Sequence, residues 1–190
     1  MTEYVLTDFR DVAKGNFRRF QRAFDTYRKP MRLLRNGLTS SELRIEGDAG
    51  GFLSLGADFL LAAAQRSHLH VYSGTAPGHL VGPFTEGLNG SIGDMNDPRA
   101  PDRIPGVAEF RYKANPVATS GFGILQSGSL ARVDADEEWG ITGNTPALIS
   151  FAERCFDLAE DATRVPVELI FESGTQLEKD SLRLVLVRRQ

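Results

Sequence analysis

The 190-residue chain contains one cysteine, one tryptophan and three histidines. A single cysteine excludes an internal disulfide and any cysteine-rich zinc site, and it fits a reducing cytoplasm. No run approaches the ~20 apolar residues that a membrane helix needs, so no membrane partner is expected. The opening MTEYVLTDFRD has acids where a secretory leader carries its apolar core. Neither a GxSxG elbow, a P-loop nor a GxGxxG motif occurs, so the common catalytic signatures are missing. What remains is the composition of a globular protein, 41% apolar and 25% charged.

The net charge of −3 is unevenly placed. Residues 1–40 carry nine basic and four acidic side chains, hence +5, which leaves −8 on the remainder. Residues 8–29 read as an N-terminal basic helix. Ala13, Phe17, Phe20, Phe24 and Tyr27 recur at 4, 3, 4, 3 spacing along one face, and Pro30 ends the run. Lys14, Arg18 and Arg22 sit at i, i+4, i+8, where like charges repel. With Arg19 they form a candidate surface for an anionic partner, nucleic acid included.

One pattern occurs twice. Residues 43–64 align with 139–160 at an offset of 96, matching Ile45 to Ile141, Gly47 to Gly143 and Asp48 to Asn144. The apolar face Phe52, Leu55, Gly56, Phe59, Leu60, Ala63 corresponds to Leu148, Phe151, Ala152, Cys155, Phe156, Ala159, an amphipathic helix in each copy. Asp48 is placed to cap the first helix, and Thr145, followed by Pro146, the second. The offset becomes 100 at the following strands, HLHVYSG (68–74) and VELIFESG (167–174). Candidate hairpins precede each helix: 31–35 with 42–46, turning at Asn36-Gly37, and 129–134 with 138–142. Further strands are expected at 107–113, 122–125 and 181–187.

These readings predict an α+β fold of two β-hairpin/helix/strand units, with a mainly antiparallel sheet and helices on one side. The expected organisation is a single pseudo-symmetric domain over 1–190. It comprises repeat unit 1 (31–74), a Gly/Pro-rich loop (75–106) and repeat unit 2 with additional strands (107–190). The loop holds five of the nine prolines and reads as irregular, with Leu80, Val81 and Phe84 as a degraded last strand of the first copy.

Candidate chemistry is sparse. His68 and His70 share one strand face, and His79 follows them, a set that suits zinc. The second copy places Glu168 and Ile170 there instead, so an ordinary strand face is preferred and no metal or other cofactor is expected. DMNDPRAPD (94–102) lacks the glycine and terminal glutamate of a calcium loop. GDAGG (47–51) is a weak phosphate cradle at a helix start. Cys155 falls on the apolar helix face as an inert thiol. Asp134, Asp136, Glu137 and Glu138 border a hairpin turn, and Trp139 follows them. Together they form a candidate partner-binding patch, with the tryptophan as anchor; packing within the sheet is the plainer role for Trp139.

ITGNTPALISFAERCFDLAE followed by VELIFESGTQLEKDSLRLVLV resembles immunity protein family 32 of bacterial polymorphic toxin systems. The shared features are a strand ending in Gly-Asx, a Leu/Ala-periodic helix, a strand, and a last segment spaced Leu177, Ser181, Leu184. The resemblance implies a non-enzymatic intracellular protein that neutralises a cognate toxin domain by direct binding.

Overall fold

In a computed structural model the described residues are 3–7, 34–65, 69–71, 87–95, 109–115, 121–160 and 167–189. The basic segment 8–29 lies outside them, as do Lys14, Arg18, Arg19, Arg22, His68, His79, Leu80, Val81 and Phe84.

The class is α+β. The first half supplies a hairpin, β2 (Leu34–Leu38) and β3 (Glu42–Gly47), then helix α1 (Ala49–Gln65), then β4 (Leu69–Val71) and β5 (Gly90–Asp94). The second half supplies β8 (Ala131–Ala135), β9 (Trp139–Gly143), helix α2 (Thr145–Ala159), β10 (Val167–Phe171) and β11 (Arg183–Arg188). A short strand, β7 (Gly121–Phe122), precedes that series, and β1 (Glu3–Thr7) pairs with β6 (Glu109–Lys113) in a separate two-stranded ribbon.

The halves interlock. One sheet runs β2-β3-β11-β10-β7 and the other β4-β5-β9-β8. Each larger sheet therefore joins the hairpin of one half to the two closing strands of the other. The joints are parallel, β3 on β11 and β5 on β9, whereas the hairpin and closing pairs β2–β3, β4–β5, β8–β9 and β10–β11 are antiparallel; the short β7 lies parallel to β10 at the sheet edge. The sheets are thus mixed, with most strand pairs antiparallel, as expected. Equivalent hydrogen bonds close the two joints: Met95 donates to the Gly143 carbonyl at 2.9 Å, and Arg189 to the Gly47 carbonyl at 2.8 Å.

The helices lie against each other, and each contacts strands of both larger sheets. This settles the question the sequence left open, whether the two units share one sheet: they form two larger sheets. It also explains why α1 is buried on every side between Gly51 and Ala63 except at Asp58. A helix apolar all round is a core helix, and Leu53, Ala57, Leu61 and Ala62 fill the faces that the periodicity left unassigned. The helices meet closely at Gly56, where a Cβ would fall 2.8 Å from the Phe156 ring and 3.1 Å from Cys155 Cβ. Phe151 stands between Phe59 and Phe171, 5.2 Å from each ring centroid.

Three local expectations change. Asn36-Gly37 lies inside β2, and the turn is made by Thr39, which accepts from the Glu42 amide through Oγ1 at 3.0 Å and donates its own amide to the Glu42 carbonyl at 2.9 Å. Strand β5 occupies part of the Gly/Pro-rich loop, because its glycines let β9 approach; Gly90 faces Trp139 directly. Asn144, not Thr145, caps α2: its Oδ1 accepts from Ala147 at 3.2 Å and from Leu130 at 3.0 Å. At α1 the expected cap is Asp48, whose carboxylate accepts from Gly51 at 2.8 Å.

Candidate binding surface

The second hairpin ends in five consecutive exposed residues, 134–138, four of them acidic. Asp136 donates its amide to the Glu138 carbonyl at 3.1 Å and so closes the tip. Asp134 meets Arg132 at 3.3 Å, but both side chains are about half exposed, and a pair in water contributes little. The tip thus presents net negative charge to solvent.

The base of the hairpin is fixed from two directions. On the outer edge of β8, Ser181 Oγ accepts from the Val133 amide at 2.7 Å and donates to the Val133 carbonyl at 3.1 Å. Glu178 and Leu182 donate their amides to Ala131 and Val133 at 2.8 and 2.7 Å. The segment between β10 and β11 therefore covers an edge that would otherwise be open. It includes Leu177 and Ser181, both buried, and Leu184 is fully buried in the strand that follows.

On the other side, Trp139 is 1% exposed. Its ring covers Gly90, where any Cβ would fall 2.2 Å from indole carbons. Its Nε1 donates to the Leu88 carbonyl at 2.9 Å. That carbonyl also accepts from Asn36 Nδ2 at 2.9 Å, and Asn36 Oδ1 in turn accepts from the Leu88 amide at 2.8 Å. Residues 87–89 thereby tie β2 of one sheet to β9 of the other. Trp139 is a packing residue, which removes it as a surface anchor; its burial supports the tip instead.

The remaining candidates separate. His70 is exposed on β4, and His68 and His79 fall outside the described residues. Among the described residues no group of three or more His, Cys, Asp or Glu is placed to hold a metal ion. The Asp48 carboxylate occupies the start of α1, so the Gly-rich turn is a cap rather than an anion cradle. Asp94 of the calcium-like run ends β5, and residues 96–102 lie outside the described set. Cys155 is fully buried, and desolvation pushes its thiol well above the ordinary range, as an inert core thiol requires. No helix among the described residues is long and apolar enough to cross a membrane.

Two features had no clear sequence signal. Phe122 and Ile124, 64% and 70% exposed, stand at the edge of the five-stranded sheet beside β10. A polar cluster joins β6 to α2. Tyr112 Oη donates to Asp157 Oδ1 at 2.8 Å and accepts from Arg154 Nη2 at 2.8 Å. The Asn115 amide reaches the same carboxylate oxygen at 2.6 Å, and Arg154 pairs with Asp157 Oδ2 at 3.1 Å. The Asp157 side chain is fully buried, and desolvation outweighs these partners, raising its pKa. Burial, reinforced by the hydrogen bond to Asp157, raises that of Tyr112. Only the i,i+3 spacing of Arg154 and Asp157 was legible beforehand.

Comparisons with protein-family models, curated proteins and solved structures found no match.

Proposed function

We propose that this chain is a non-enzymatic binding protein of the immunity type, which neutralises a cognate bacterial toxin domain by direct contact and needs no cofactor. The observation that carries this reading is the acidic tip Asp134–Glu138, exposed to solvent yet mounted on a hairpin clamped by Ser181 and Trp139. Rigid presentation reduces the ordering cost of association. Clustered charge accelerates encounter with a basic protein surface. The resemblance of residues 141–187 to immunity protein family 32 points to the same class of partner.

The test is protection in cells that express candidate toxin domains encoded by neighbouring genes. The wild-type chain should protect. A variant carrying Asp136→Lys, Glu137→Lys and Glu138→Lys should lose protection while keeping its melting temperature, since these side chains are all exposed. Full protection by the variant, or none by the wild type, would overturn the proposal. Salt-sensitive binding of DNA or RNA by the unprotective wild type would favour a nucleic-acid partner instead.

A further inference from the structure

We infer that the β1–β6 ribbon is a strap, latched onto α2 by the Asp157–Tyr112–Arg154 cluster and able to open while the two-sheet body stays folded. A two-stranded ribbon is marginal by itself, and among the described residues β1 and β6 are paired with each other and with neither larger sheet. Its stability therefore depends on docking. The dock has an apolar part and a polar part. Phe110 and Tyr112 each place a ring centroid 6.3 Å from that of Phe156. Beside them the buried Asp157 carboxylate collects the Tyr112 hydroxyl, the Asn115 amide and the Arg154 guanidinium.

Two of the three partners, the Tyr112 hydroxyl and the Asn115 amide, are carried by the strap, whereas Arg154 shares α2 with Asp157. A carboxylate taken out of water is tolerated only while its partners remain in place. Removing one strap-borne donor weakens the dock, and lifting the strap returns the carboxylate to water. Opening uncovers Phe156, and it frees Thr7, the residue that leads directly into the basic segment 8–29. Local opening of this kind is expected where a small element is joined to a larger cooperative unit. Cys155, next to Phe156 in sequence, is fully buried with its Cβ against Gly56 of α1, so its thiol reports separation of the helices rather than lifting of the strap.

The experiment is native-state hydrogen exchange on the full chain, with thiol labelling of Cys155 as the reporter of the body. In Tyr112→Phe, exchange at 3–7 and 109–115 should rise about tenfold, the equivalent of 1.4 kcal/mol. Exchange at 139–143 and 183–188, and the labelling rate of Cys155, should stay within about twofold. Ser181→Ala, which weakens the body, should do the reverse and accelerate 131–135 and 139–143 most. Unchanged strap exchange in Tyr112→Phe, or an equal rise in strap and body, would overturn the inference. Asp157→Asn is the stronger perturbation, and the reading does not depend on its folding.

Discussion

The two donors that converge on the Leu88 carbonyl make a quantitative test of how the sheets are tied together. Trp139 Nε1 and Asn36 Nδ2 both reach that oxygen at 2.9 Å. Trp139→Phe removes one donor and part of a ring that fills the space over Gly90. The lost hydrogen bond costs about 1 kcal/mol net, and the vacated volume costs about 1 kcal/mol more. Asn36→Ala loses two bonds to Leu88 near solvent, about 1 kcal/mol together. In either single variant the carbonyl keeps one donor; in the double variant it keeps neither of them. The double variant should therefore lose about 1 kcal/mol beyond the sum of the singles, a coupling that a double-mutant cycle isolates. The assay is urea unfolding followed by far-UV circular dichroism, because Trp139 is the only tryptophan and its fluorescence disappears with the substitution. Coupling below about 0.3 kcal/mol would refute the shared-acceptor account and mean that water satisfies the carbonyl. An unchanged midpoint in Trp139→Phe alone would refute the energetic part of the packing account.

Glu46 is held down to about pKa 2, first by hydrogen bonds from Arg189 and then by the one from Arg44. A depressed carboxylate stabilises the fold above its ordinary pKa, and the effect fades as the pH falls from about 4.5 towards 2. Glu46→Gln should therefore cost about 1 kcal/mol at pH 7, after allowance for solvent screening. Its unfolding curve should converge on the wild-type curve near pH 2; a constant difference across that range would sink the assignment. Thr145 Oγ1 is buried without a hydrogen-bond partner, so Thr145→Val, which keeps the branched shape, should raise the unfolding free energy by about 1 kcal/mol. A drop in thermal stability would show that the hydroxyl has a partner after all.

The two helices and most strands, though not β1 or β5, were legible because their periodicities are local facts. The 3, 1, 3, 1 spacing of apolar residues in 52–63 and 148–159, the alternation in 107–113 and the valine-leucine runs near 169 and 185 require no knowledge of the neighbours. The acidic tip was equally plain, since four carboxylates cannot be buried together without partners. Trp139 was not, because an indole suits a core and an interface equally well. Its burial depends on Gly90, 49 residues earlier, which leaves room for the ring.

Composition and spacing alone determined the α+β class, the two buried helices, the inert cysteine and the charge of the hairpin tip. Tertiary structure decided the exchange of strands between the halves, the burial of α1 on every side, the tie at Leu88 and the carboxylate latch under the ribbon. Each of these rests on contacts between residues about 40 to 140 positions apart, created by sheet pairing and helix crossing. Local preferences reach one turn of helix or one pleat of strand, and they carry no information about which distant strand will close a joint.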